Sequence, residues 1–342
     1  MVSDAPLRLR IDGDALAANW RWLRDRNPAA ACGAAVKADG YGLGAQAVVD
    51  RLAVAGCRDF FVATWDEARS LRLPDGCALS VLHGVRAADM ADARPDNARP
   101  VLNSPEQVRR WRDAGGGACD VMVDTGINRL GASVEKIGEG LLDGLEIETL
   151  MSHLACADED SAMNEAQRAR FADLAGRTGA GRMSLANSAG TMLGSAYAFD
   201  LVRPGLALYG GRPRGGMEAI RQVAFPEAQV LQRRRVAAGE TVGYNALWTA
   251  PRDSDVAILN IGYADGYWRG FTNNGTAEGG RLPVIGRVSM DLTAIDITDA
   301  PNIAEGDWVK LDYDLPAAAA ASGMSQYELL TGLGRRFDRP RR

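Results

Sequence analysis

Of the 39 basic residues in this 342-residue chain, 36 are arginine and only Lys37, Lys136 and Lys310 are lysine. A chain that uses guanidinium almost everywhere keeps lysine where a primary amine must lose its proton and add to a carbonyl carbon, which arginine cannot do. Lys136 (SVEKIGEG) has the polar neighbours of a solvated helix residue, and Lys310 (DWVKLDYD) alternates with apolar residues as on the outer face of a strand. Lys37 is different. It follows the apolar run Ala34, Ala35, Val36 and precedes a loop carrying Gly40, Gly42 and Gly44. Taken alone, it reads equally well as a structural residue or as a reactive amine.

Other polar groups fall at similar places, just at or after an apolar run: Asp124 to Arg129, His153, Asn187 with Ser188, and Arg203. Residue by residue, a core histidine, an N-cap serine or a surface ion pair is the simpler reading. Jointly they supply an amine, an imidazole, a hydroxyl and two guanidiniums, which one site could use. Metal chemistry is not expected. The only histidines are His83 and His153, and the five cysteines (Cys32, Cys57, Cys77, Cys119, Cys156) lack paired CxxC spacing. They read as reduced, buried thiols of a cytoplasmic protein.

These groups need elements to hold them. Strand-like runs near 33–38, 59–63, 78–82, 99–102, 118–123, 147–152, 182–186 and 201–208 alternate with helical patterns such as Ala45–Ala55, Ser104–Ala114 and Ser161–Ala175. Ser104 and Ser161 are natural N-caps, with Gln107 and Asn164 three residues on. Eight strands with intervening helices predict an α/β fold, a (β/α)8 barrel of the triosephosphate-isomerase type, whose chemistry gathers at the C-terminal strand ends. Past Gly215–Gly216 the texture becomes strand and turn: Ala228–Val236, Thr241–Ala250, Val256–Gly262, Leu282–Ile285, Thr293–Thr298 and Trp308–Asp312, with helical periodicity only near Tyr327–Leu333. The Ala317–Ala321 run reads as a short loop or helix start. The predicted division is a barrel over 11–220 and an all-β domain over 221–342, which an N-terminal strand in 1–10 joins. The net charge of −5 carries no basic stripe, and the Arg335–Arg342 stretch reads as a frayed end, so nucleic acid is not an expected partner. No apolar leader or membrane-length run appears, so no membrane partner is expected either.

Eight segments carry a more specific signal: AAVKADGYGLGA (34–45), VDTGINRLG (123–131), MSHLACAD (151–158), SLANSAG (184–190), VRPGLALYGG (202–211), VGYNALWTA (242–250), IGYADGYWR (261–269) and GRVSMD (286–291). In order and spacing the chain resembles the alanine racemases, enzymes of fold-type III that use pyridoxal 5′-phosphate. The resemblance implies that Lys37 holds the cofactor as a Schiff base and then serves as base on one face of the substrate's Cα. Tyr41, Ser188 and the backbone N–H groups of Gly205 and Leu206 would bind the phosphate. Ser188 also opens a predicted helix, whose N-terminus would favour an anion. Asn187 falls in the same cofactor-binding block. Arg203 would face the pyridine nitrogen and, holding its own proton, leave that nitrogen unprotonated. Tyr244, on a predicted strand, would act from the partner subunit as the second base, its pKa lowered through a chain running by His153 to Arg203. Arg129 would meet the cofactor's phenolic oxygen and the substrate carboxylate. Tyr263, Met290 and Asp291 would narrow the entrance. A homodimer with shared sites is implied, acting on alanine and supplying D-alanine for peptidoglycan or catabolism.

The chain departs from the family pattern at Met122, where many members have a carbamylated lysine, and at Leu43, Ser289, Asn245 and Leu247. The C-terminal tail has no identifiable phosphate-binding tyrosine. Changes near Tyr244 leave a racemase of serine or broader specificity as the alternative. A decarboxylase of the same fold would leave Tyr244 and Arg203 without roles. A cofactor carrier would not need Tyr244, and an aspartic protease built on Asp124-Thr125-Gly126 would leave Lys37 unexplained.

Overall fold

The computed structural model describes residues 5–92 and 94–339, so the outermost residues of both predicted termini lie outside it. The chain divides into two compact units: Gly13–Arg221, and residues 5–12 with 222–339.

The first unit is a closed parallel barrel. Its eight strands are Ala31–Cys32 continued by Ala34–Ala35, then Asp59–Val62, Ala78–Val81, Ala98–Leu102, Cys119–Asp124, Ile147–Met151, Arg182–Ser184 and Leu201–Val202. Each of the first six pairs in parallel with the next. Strands seven and eight are joined by Asp200 N–H to the Met183 carbonyl (3.0 Å) and Arg203 N–H to the Ala186 carbonyl (2.9 Å). Strand eight closes the ring by pairing Leu201 with Ala31 and Val202 with Cys32. The strands read as unbroken apolar runs because both faces are covered; Phe60, Phe61, Val62, Val121 and Val123 are all buried. Strand one is interrupted at Gly33, where a Cβ would stand 2.8 Å from the Asp59 carbonyl oxygen and from the Phe61 ring. Strand eight stops at Val202, short of the predicted 208, because Pro204 and Gly205 end it and Leu206–Tyr209 form a 3-10 turn.

Helix Ala45–Ala55 buries Val48, Val49 and Leu52 and ends on Gly56 in the left-handed conformation. Ser104 caps Pro105–Asp113 by accepting from Gln107 N–H, but Gln107 Oε1 reaches past the cap to Asn103 N–H (2.9 Å). Ser161 caps Ala162–Ala172, while Asn164 donates to the Cys156 and Glu159 carbonyls instead of closing a capping box.

The second unit is an antiparallel sheet on the long strand Ala224–Val236. Its first half pairs with Leu7–Ile11 and Trp308–Lys310, its second half with Ser254–Leu259. Thr293–Asp296, Leu282–Ile285 and Thr276–Ala277 extend the sheet. The predicted strand over 241–250 is broken: Thr241–Val242 and Trp248–Thr249 pair, and Tyr244–Ala246 between them form a 3-10 turn. Gly243, Asn245 and Ala246 all have positive φ, which no strand accommodates. The alanine run lies in a helix, Leu315–Ser322, followed by Gln326–Thr331.

Candidate active site

Lys37, Asp124 to Arg129, His153, Asn187, Ser188 and Arg203 all sit at C-terminal strand ends of the barrel, in strands one, five, six, seven and eight. Lys37 opens a turn of unusual backbone. Ala38, Asp39, Gly40 and Tyr41 all have φ between 52° and 62°. For the three that are not glycine, left-handed conformation costs roughly 1–2 kcal/mol each, so neighbouring groups must hold the turn. Asp39 Oδ1 accepts from Ala45 N–H (2.8 Å), and Glu67 Oε1 accepts from Ala38 N–H (2.7 Å). The turn brings the Tyr41 ring onto Tyr209, with centroids 4.7 Å apart, and Tyr209 donates to the Ala35 carbonyl (2.8 Å). The Tyr41 hydroxyl lies against Gly205, where any Cβ would overlap it.

Half-buried at this turn, the Lys37 amine is shifted down from its ordinary pKa, by burial first and then by the Arg129 charge; the Glu67 carboxylate opposes the shift. It is therefore nearer to the neutral form that adds to a carbonyl. Arg129 is held by its loop: Asp124 accepts from the N–H groups of Gly126 (2.7 Å), Asn128 (3.2 Å) and Arg129 (3.1 Å). That carboxylate organises a turn, which is not the work of a protease nucleophile site. Met122, in the strand below, is buried, and so is Leu43.

Arg203 is buried, and its guanidinium donates to Ser184 Oγ and to the Ser152 carbonyl (2.6 Å). Burial lowers its pKa to about 10 against the charge of Asp120, so it remains a cation at neutral pH. His153 is pushed down to about 3 by burial and by the charges of Arg203, Arg129 and Lys37. The imidazole is thus neutral in the working range. The Ser184 hydroxyl and the Ser152 carbonyl position this guanidinium, and its charge acts on the neighbouring His153.

Ser188 differs from expectation. No α-helix begins there; only a 3-10 turn at Gly190–Met192 follows, with Asn187 Oδ1 accepting from Gly190 N–H (2.9 Å). Ser188 Oγ instead accepts from the N–H groups of Gly205 (2.9 Å) and Ala207 (3.1 Å), at the start of the Leu206–Tyr209 turn. A hydroxyl, adjacent amides and the Tyr41 phenol thus converge where a glycine leaves room. Together with the depressed amine and the buried cation, this fits a phosphate-bearing aldehyde.

Tyr244, Tyr263, Met290 and Asp291 belong to the other unit. Tyr244 is 68% exposed and stands on the 3-10 turn. Tyr263 and Ala264 donate their N–H groups to the carbonyls of Ser289 (3.0 Å) and Met290 (3.0 Å), which joins the segments of Tyr263 and Met290. Arg336 ties the same turn to Asp291, with Nη1 to Asp291 (2.7 Å) and Nε to the buried Asp265 (2.7 Å).

Sequence reasoning missed Glu67, Ser152, Ser184, Gln167 and Arg336. Gln167 Nε2 donates to the His153 carbonyl (2.9 Å) and to Thr125 Oγ1 (3.2 Å), linking the loops after strands five and six. Of these, only Glu67 had a local signature, the Thr64-x-x-Glu67 capping box. Among the described residues no group of histidine, cysteine and carboxylate side chains could hold a metal ion. None of their helices is long and apolar enough to cross a membrane.

The depressed His153 pKa sets an expected pH dependence. The unfolded imidazole takes up a proton near pH 6.5 and the folded one only near 3, so this contribution is complete above 6.5 and lost as pH falls toward 3. Replacing His153 with glutamine should reduce the stability gap between pH 7 and pH 5 by about 2 kcal/mol, read from urea unfolding at both values. An unchanged gap would mean that His153 protonates freely in the folded protein.

Two family models cover the chain: the alanine racemase N-terminal domain matches residues 11–213 and the C-terminal domain residues 223–340. An alanine racemase of Acidiphilium cryptum is 45% identical over 97% of both chains, and one of Rhodospirillum rubrum 42% identical over 97% of this chain and 94% of its own. Among solved structures, the alanine racemase of Bartonella henselae with covalently bound pyridoxal phosphate superimposes with a TM-score of 0.89 at 35% identity, covering 98% of this chain and 99% of its own. The biosynthetic alanine racemase of Pseudomonas aeruginosa gives 0.87 at 32% identity with the same coverage. Sequence and fold agree along nearly the whole length, and the chain belongs to the alanine racemase family, as an amino-acid isomerase.

Proposed function

We propose that this chain interconverts L- and D-alanine with pyridoxal 5′-phosphate held on Lys37, using Lys37 and the partner subunit's Tyr244 as acid and base on opposite faces of Cα. The observation that carries this reading is the Lys37 amine itself: shifted toward its neutral form, at the mouth of a closed barrel, beside Arg129. When bound, the cofactor is an electron sink that acidifies the Cα proton of an attached amino acid.

The chain's own residues do the rest. Tyr41, Ser188 and the backbone N–H groups of Gly205 and Leu206 would hold the phosphate, with Asn187 fixing the loop beside them. Arg203 would face the pyridine nitrogen. With a pKa of about 10 it donates a hydrogen bond without giving up its proton. Arg203, keeping its own proton, would leave a ring nitrogen facing it unprotonated, a setting that suits racemisation over transamination. Arg129 would bind the substrate carboxylate. Lys37 Nζ takes or returns the proton on one face, and the partner subunit's Tyr244 Oη does so on the other. The neutral His153 can pass a hydrogen bond without adding another charge.

A dimer would cover Tyr244, Leu247, Met290 and Leu292, large side chains that are exposed in this unit. The partner's Tyr263, Met290 and Asp291 would narrow the entrance to a small substrate. Alanine is preferred over serine because the full-length relatives are alanine racemases. We place the reaction in the cytoplasm, supplying D-alanine for peptidoglycan or consuming it as a nutrient.

The test is α-proton exchange in D2O, followed by NMR with L-alanine and L-serine separately, with each product assayed for its D-isomer. Fast exchange and D-isomer formation with alanine, and little with serine, is expected. Equal turnover of serine would transfer the assignment to a broader racemase. No exchange by protein carrying its cofactor would refute racemisation.

A further inference from the structure

Glu67 ties the turn after strand one to the loop after strand two. Oε1 accepts from Ala38 N–H (2.7 Å), directly after Lys37, and Oε2 accepts from Ala63 N–H (2.6 Å) and Thr64 N–H (3.3 Å). A helix cap needs only the Thr64 contact; the bond to Ala38, 29 residues away, is extra. It falls on the first residue of the left-handed run, where backbone preference alone would let the chain relax. The same carboxylate is the negative charge acting on Lys37; Arg129, on the loop after strand five, acts as a cation, and the neighbouring His153, after strand six, is a neutral imidazole.

We infer that Glu67 is a positioning residue for the reaction: its two carboxylate oxygens clamp the Lys37 turn to the end of strand two and so set where Nζ stands, while its negative charge acts on that amine. This rests on the reading of Lys37 as the attachment point. Capture of the cofactor requires Nζ to lose a proton and add to the aldehyde carbon, with water leaving. Both placement and charge at Lys37 therefore enter its rate.

The experiment measures the rate at which the cofactor-stripped full chain captures pyridoxal phosphate, by absorbance, across a pH series. Glu67→Gln turns one acceptor into a donor facing an N–H and removes the charge. It should lower the plateau rate at least roughly tenfold and move the midpoint to lower pH, because the amine loses the anion that favours its protonated form. Glu67→Asp keeps the charge but cannot span both contacts, so the midpoint should return while the plateau stays low. Thr64→Ala weakens the same helix cap without touching the clamp and should leave both near the parent values. A parent-like plateau and midpoint in Glu67→Gln would overturn the inference. So would equal losses in Glu67→Gln and Thr64→Ala, since the effect would then belong to the helix. Lys37→Ala is the separate control: continued capture by that variant would sink the attachment reading itself and the clamp with it. If Glu67→Gln does not fold, Glu67→Asp decides, and a parent-like plateau there overturns the inference.

Discussion

Lys37→Ala should abolish both stable cofactor attachment and racemisation, a loss of roughly a thousandfold or more, because the residue serves as attachment point and as base. Lys37→Arg should be as inactive, although it preserves the positive charge and most of the length. A guanidinium holds its proton at working pH and has no free electron pair to add to an aldehyde. Neither remaining lysine can substitute. Lys136 is exposed and paired with Glu139 (2.7 Å), and Lys310 lies in the other unit over the Phe225 ring at 4.6 Å. The measurement is reductive trapping of the bound cofactor followed by peptide mass, alongside D-alanine formation. A label found at Lys136 or Lys310, or activity surviving in Lys37→Ala, would remove the basis of the mechanism.

Tyr244→Phe should lower racemisation by roughly 10²–10⁴-fold, the usual worth of a positioned acid–base group, while the cofactor remains bound. Losing one of two opposed bases has a further signature. One enantiomer should still exchange its α-proton with D2O through Lys37 without inverting, and the other should not exchange. A one-base mechanism would show equal residual exchange for both. The subunit origin of the phenol can be tested with inactive chains. Mixed dimers of Lys37→Ala and Tyr244→Phe each contain one site with both groups intact, so random assembly should restore about a quarter of the parental activity. If Tyr244 served its own chain's site, mixing would restore nothing.

The acid–base pair also explains why the scarcity of lysine was so informative. Where guanidinium can serve, this chain uses it, and Arg182 on Asp59 (2.7 Å) and Arg99 on Asp120 (2.9 Å) are such uses among the barrel strands. The residue that cannot be exchanged for arginine stands out in composition before any fold is known. The alternation of apolar runs and helical periodicity was similarly legible. A parallel strand covered on both faces reads as Phe60-Phe61-Val62, and a surface helix repeats its apolar residues every three or four positions, as Ala45–Ala55 does.

Local pattern failed where backbone conformation is set by groups far away in the chain. The Lys37 turn looks like a loop relaxed by three glycines. It is a left-handed run through Ala38, Asp39 and Tyr41 as well, held by a carboxylate 29 residues on. Ser188 had the signature of a helix cap, yet its hydroxyl is bonded by amides 17 and 19 residues later, because strand eight brings Gly205 and Ala207 beside it. Tyr244 had the composition of a strand residue, and the turn that carries it depends on left-handed Asn245 and Ala246, which sequence periodicity does not encode.

The sequence by itself determined the amine, the barrel that carries it and the family to which the chain belongs, since these reside in residue type, periodicity and ordered local blocks. Only the tertiary structure decided how that amine is aimed and charged, which oxygens hold Arg203, and that His153 is neutral. Those properties depend on desolvation and on contacts between segments that meet only when the eight strands close into a ring.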